Sequence, residues 1–169
     1  MESQVVIEPA ANDGHLVDIQ NLAHAIWHEH YPGIISTAQI DYMLREGYGL
    51  ETLRREIAQG AIRYERALLD GALIGFSAFE PSSDEGSLIL HKLYVDAAQR
   101  DRGCGRKLVE SASACARAQS LRRIVLRVNK RNRVAIEAYE RMGFENRGSV
   151  VTDIGGGFQM DDYRMQLEL

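Results

Sequence analysis

The stretch that most constrains this chain runs over residues 88–118. It opens Leu88-Ile89-Leu90-His91-Lys92-Leu93-Tyr94-Val95, an apolar, β-prone run. A basic loop with two glycines follows, Arg100-Asp101-Arg102-Gly103-Cys104-Gly105-Arg106. Beyond it the apolar side chains fall at Leu108, Val109, Ala112, Cys115 and Ala116, the spacing of an amphipathic helix. Strand, glycine loop and helix in this order make a place for a phosphate. The first N–H groups of a helix lack intrahelical acceptors, and the helix dipole is positive at that end. Glycine lets an anion come close to the backbone. Arg100, Arg102, Arg106 and Lys107 add charge to the same spot. Cys104 stands at that helix start among arginines, a setting that favours its thiolate.

Spacing excludes two common phosphate loops. A Walker loop needs Gly-x-x-x-x-Gly-Lys followed by Ser or Thr, which is absent. A dinucleotide fingerprint would put its third glycine where Leu108 stands, and Asn129, not an acid, ends the next strand. The length of 169 residues suits one domain, 1–169, with a sizeable core. No apolar run reaches membrane-span length, and the start, Met1-Glu2-Ser3-Gln4, lacks the parts of a signal peptide. Two cysteines offer no disulfide framework, so a cytoplasmic protein is expected. His24 and His28 share a helix face without a third ligand, so no metal is expected.

The net charge of −4 argues against nucleic acid as partner. Its distribution says more. Residues 88–148 carry fourteen Lys/Arg against six Asp/Glu, and the remainder carries six against eighteen. The loop half is basic and the rest is acidic.

In chain order, residues 5–8 read as a short strand. A helix capped by Asn12 or Asp13 follows, with Leu16, Ile19, Ala23, Ile26, Trp27 and His30 inward. Ser36 or Thr37 opens a second helical stretch, and Leu50, Leu53 and Ile57 mark a third that Gly60 closes. Residues 61–69 and 72–79 form a hairpin about Asp70-Gly71, and 81–86 is a polar, mobile loop. After the organising unit, 122–128 is a strand, Asn132 opens a helix with Gly143 as its cap, and 144–152 and 158–169 close the sheet. Strands mixed with helices predict an α/β class with a mixed central sheet flanked by helices.

Asn132 and Tyr139 lie seven apart, two helical turns, so an amide and a phenol project from one face and can grip a polar chain. The joint pattern resembles the two conserved segments of the GNAT acyltransferase superfamily. The first segment is Arg100-x-x-Gly103-x-Gly105. The second, one strand later, is Asn132-x-x-Ala135-x-x-x-Tyr139-x-x-x-Gly143-Phe144. Ile26-Trp27, Tyr31 and Asp162-Tyr163-Arg164-Met165 further resemble the branch of small bacterial acetyltransferases that includes polyamine enzymes.

The resemblance implies a GNAT-type fold and acetyl-CoA as donor. It puts the pyrophosphate on the loop Arg100, Asp101, Arg102, Gly103, Cys104, Gly105 and Arg106. It pairs the pantetheine arm with Leu93, Tyr94 and Val95, which also turn an N–H toward the thioester oxygen. Asn132 would bond the cofactor arm, and Tyr139 would sit at the sulfur and protonate the leaving thiolate. Two departures stand out: Asp101 where many relatives have glycine, and Ile89 where some have a glutamate base. His91, two residues on, is the candidate proton acceptor, with Glu29 as the substitute.

The expected reaction is direct transfer to a primary amine in a ternary complex. The acidic part of the chain points to a small cationic amine or polyamine, seated by Trp27, Glu29, Tyr31 and Asp162. Acetylation of a protein lysine or N-terminus, and acyl-CoA sensing without turnover, stand as alternatives. A homodimer would suit the resemblance.

Overall fold

The computed structural model describes residues 4–84 and 86–169. The expectations on Met1-Glu2-Ser3 and on Glu85 of the polar loop lie outside them. The elements are β1 (Val5–Pro9), α1 (Asp13–His30), α2 (Thr37–Tyr48), α3 (Leu50–Gln59), β2 (Arg63–Leu69), β3 (Ala72–Pro81), β4 (Ser87–Val95), α4 (Cys104–Ala118), β5 (Arg123–Asn129), α5 (Arg133–Arg141), β6 (Glu145–Gly155) and β7 (Phe158–Glu168). A short 3₁₀ turn, Ala97–Gln99, joins β4 to the basic loop.

Local chemistry sets most boundaries. Asn12 caps α1 by accepting the His15 N–H, and Ser36 caps α2 by accepting that of Gln39. Asn132 does the same for α5 through the Ala135 N–H. Two expectations are corrected. Pro81 belongs to β3 rather than to the loop. Met142 ends α5, and Gly143 follows it at φ 98°.

Seven strands form one sheet in the order β1-β2-β3-β4-β5-β7-β6. Every neighbouring pair is antiparallel except β4 with β5, which α4 connects. The apolar stripes of α1, α2 and α3 pack on one face, over Tyr64, Phe76, Ala78 and Tyr94. Those of α4 and α5 pack on the other, over Leu88, Leu90, Ile124, Leu126, Val128 and Met165. The sheet is thus covered by three helices on one side and by two on the other, where α4 also packs Cys104 and Leu108 on Val5, Ala67 and Ile74 of β1–β3. The Tyr42 hydroxyl of α2 donates to the Ile154 carbonyl at 2.7 Å, which ties α2 to the β6–β7 hairpin. Among the described residues no helix is long and apolar enough to cross a membrane.

Candidate active site

The site begins with a pairing that stops short. β4 and β5 pair in parallel over only Ser87, Leu88 and Ile89, against Arg123, Ile124 and Val125. In the β3–β4 ladder Phe79 opposes Leu90 and Ala78 opposes Lys92, so His91 is the extra residue of a bulge. A bulge bends and twists its strand. Beyond it β4 keeps its β3 partner and loses its β5 partner. Its edge toward β5, from Leu93 to Val95, carries backbone groups that an extended chain can pair with.

The opening forms a cavity of about 1020 Å³ that crosses the sheet. Ala135, Ala138 and Tyr139 of α5 line it on one side, and Trp27, His30 and Tyr31 of α1 on the other. That volume is ample for a long ligand and a second molecule meeting it.

Arg100 lines the same cavity. The loop after it turns on two left-handed residues, Asp101 at φ 67° and Gly103 at φ 72°. Aspartate tolerates this conformation better than most side chains. Gly103 precedes α4 with no side-chain cap, so the first N–H groups of α4 have no capping acceptor. This uncapped end beside Arg100 fits a pyrophosphate. Two loop residues depart from expectation. Lys107 donates to the Val5 carbonyl at 2.9 Å and so ties α4 to β1. Cys104 is 2 % exposed, and burial pushes its thiol up to about 11. The expected thiolate is therefore corrected to a buried neutral thiol, because desolvation outweighs the nearby Lys107 charge.

At the far end of the gap, polar groups gather among aromatic rings. The Tyr31 and Tyr94 hydroxyls lie 3.1 Å apart, and Trp27 stacks at 4.4 Å from Tyr31 and 5.8 Å from Tyr94. His30 Nε2 meets Asn132 Oδ1 at 2.9 Å, so Asn132 both caps α5 and joins α5 to α1. Tyr139 packs on Phe144 with ring centroids 5.5 Å apart. Burial raises its phenol above the ordinary range, with a further push from Tyr31, so it stays protonated.

Asp162 lies on β7, opposite Asn129 and Val150, and lines the cavity. It is 4 % exposed, and its Oδ1 is buried without a hydrogen-bond partner. Burial pushes its carboxyl up to about 6, partly offset by Arg127. Its neighbour Asp161 points outward and pairs with Lys130 at 2.7 Å.

Trp27, Tyr31 and Asp162 are brought together; Glu29 is not. It is exposed and absent from the cavity wall. Two residues along a helix turn a side chain about 200°, which carries Glu29 away from Trp27 and Tyr31. His91 lines the cavity with its Nε2 2.8 Å from Glu80 of β3.

Sequence reading missed Glu80, because only the shifted β3–β4 register sets it beside His91. It also missed Lys92, whose Nζ donates to the Gly47 carbonyl and the Tyr64 hydroxyl, each at 2.6 Å. Burial lowers that ammonium to about 8, with Glu56 opposing the shift. Arg127, Arg147 and Arg164 were missed as cavity residues too. Among the described residues no group of three His, Cys, Asp or Glu side chains is placed to hold a metal ion.

The mixed sheet, the β4–β5 gap and the uncapped α4 define a fold that sequence comparison now names. Residues 19–144 match the Acetyltransferase (GNAT) family, and the chain belongs to that family. The spermidine N(1)-acetyltransferase of Thermoplasma acidophilum is 27% identical over 128 residues, 73% of this chain and 78% of that protein. A streptothricin acetyltransferase of Streptomyces lavendulae is 37% identical over 75 residues, 44% of this chain and 40% of the relative's own length. The fold is also that of the PaiA N-acetyltransferase of Thermoplasma acidophilum, solved in complex with coenzyme A. That structure has a TM-score of 0.82 at 24% identity, covering 98% of this chain and 99% of the other. Family membership makes this chain an acetyl-CoA-dependent N-acetyltransferase.

Proposed function

We propose that this chain moves an acetyl group directly from acetyl-CoA to the primary amine of a small acceptor, with Asp162 seating the amine and Tyr139 serving the leaving sulfur. The observation that carries the reading is the single cavity through the β4–β5 gap. It joins Arg100 and Tyr139 on the donor side to Asp162 on the other. The bound donor supplies a thioester carbonyl as electrophile. The free edge of Leu93, Tyr94 and Val95 holds its arm and offers an N–H to the carbonyl oxygen. Arg100 and the first turn of α4 take the pyrophosphate, and Asn132 fixes the arm where α5 begins.

Asp162 attracts the acceptor's ammonium through its unpartnered Oδ1 and takes the proton, freeing the nitrogen lone pair. The C–N bond forms as the C–S bond breaks, and Tyr139 gives its phenolic proton to the sulfur. Asp162 takes the role given to His91 because it shares Tyr31 as a neighbour with Tyr139. His91 is held toward Glu80 instead.

A cationic head group fits Asp162, and the spermidine enzyme among the relatives supports an amine of the polyamine kind. The charge of the wall does not extend that support along the acceptor. Lys92, Arg100, Arg127, Arg147 and Arg164 line the cavity against Asp84 and Asp162.

Tyr139→Phe tests the reading. It keeps the ring packing and removes the proton, so kcat falls by roughly 10²–10⁴-fold while acetyl-CoA binding holds. Near-normal turnover would leave Tyr139 as a packing residue and remove the acid step.

A further inference from the structure

The cavity wall away from α4 and α5 carries cations that the reaction does not use. Strand alternation puts Leu126, Val128 and Met165 into the core under α4 and α5, which sends Arg127 and Arg164 to the opposite face. Arg127 of β5 stands directly across from Arg164 of β7. On β6 the register jumps between Asn146 and Ser149, so Arg147 falls in the bulge opposite Arg164. Three arginines thus form a row across three adjacent strands, and all three line the cavity. Like charges directly opposite on paired strands are destabilising.

The row is only partly neutralised, and Arg127 acts on the Asp162 carboxylate from beyond ion-pair distance. Arg147 pairs with Glu145 at 2.8 Å. Arg127 donates to the Thr152 hydroxyl at 2.8 Å. Among the described residues neither Arg127 nor Arg164 has a carboxylate within ion-pair distance. The donor's phosphates are met on the other side of the sheet plane, at Arg100 and the start of α4. Asp162 lies two residues before Arg164 on the same strand face, a spacing of roughly 7 Å. The wall therefore offers an anion for an ammonium and, one step along β7, a pair of guanidinium groups.

We propose that the acceptor is an amine that also carries a carboxylate or phosphate, and that Arg127 and Arg164 bind this anionic group while Asp162 receives the amine. The inference rests on the acetyl-transfer reading for the amine end and goes beyond it for the tail. Guanidinium is suited to either anion, since its planar fork matches both. A diamine of similar length would have to set its second ammonium against the arginine row.

Matched probes decide it. Isothermal titration of the CoA-saturated protein at low ionic strength compares 4-aminobutanoate, phosphoethanolamine and 1,4-diaminobutane. At least one anionic amine should bind about tenfold or more tightly than the diamine. The stronger of the two anionic probes identifies carboxylate or phosphate as the preferred group. Arg127→Gln and Arg164→Gln should each erase most of that preference, and the tighter probe's KM should rise more than its kcat falls. Tighter binding of the diamine, no binding of either anionic amine, or a preference unchanged in both variants overturns the proposal. Turnover of butylamine with acetyl-CoA is followed in parallel. Acetylation of butylamine without an anionic preference sinks the arginine subsite alone. The preference without acetylation of any amine sinks the transfer reading and leaves the subsite.

Discussion

Asp162 shows how one buried carboxylate links stability to chemistry. Its carboxyl moves from the usual 3.8 up to about 6 because the ionised form is desolvated. The folded state therefore holds the proton more tightly than the unfolded chain. The favourable contribution is complete below about pH 4 and is lost as pH rises toward 6. Asp162→Asn should stabilise the fold by on the order of 2–3 kcal/mol at pH 7–8, a gain that shrinks as pH falls toward 4. Thermal melts across that range check the sign. The same substitution should abolish the acid limb of kcat/KM near pH 6, while His91→Gln should keep it. Loss of the limb in His91→Gln alone would return the proton to His91. The sequence offered Asp162 as an anionic contact for the acceptor near the end of the chain. Its burial was not legible there, because that depends on β7 pairing with both β5 and β6. Glu29 failed for a simpler reason, a helical phase misjudged by two residues.

At the scale of elements, β4 and α4 carry the site, and both meet at Gly75 of β3. A Cβ there would lie 2.8 Å from the Tyr94 carbonyl and 3.1 Å from Cys104 Sγ. The backbone of β4 and the start of α4 would have to move apart. Gly75→Ala should cost roughly 1–3 kcal/mol in denaturant unfolding. It should also raise the KM for acetyl-CoA, because both groups shifted belong to the edge proposed to hold the donor. Unchanged stability and KM would mean that the contact relaxes freely. The elements themselves were largely readable. Asn12, Ser36 and Asn132 cap their helices as side chains of their kind do, and the strand–loop–helix unit follows from its own glycines and apolar spacing. The gap was not readable from local pattern. It depends on where the parallel pairing with the distant β5 ends and on a register shift against β3 that leaves His91 as a bulge.

For the whole molecule, the split between a basic middle and an acidic remainder was legible, but its meaning changed with the fold. Arg127 and Arg147 belong to the basic stretch, yet the fold sets them in the wall of the cavity, on the side proposed for the acceptor. Counting charge along the chain pointed to an acidic acceptor side, whereas the sheet sets arginines in that cavity wall beside one buried aspartate. The loop before α4 was the more legible half, because a strand–loop–helix unit is a local device while the opposite wall of the cavity is assembled from α1, β5, β6 and β7. On the proposed mechanism one cavity holds both substrates at once and passes acetyl directly between them. Initial velocities of CoA release, with a primary amine varied at several fixed acetyl-CoA concentrations, test it most directly. Direct transfer gives lines that intersect on the double-reciprocal plot and leaves no acetyl group on the protein. Parallel lines with an acetylated protein, or no amine-dependent CoA release from a protein that binds CoA, would contradict it.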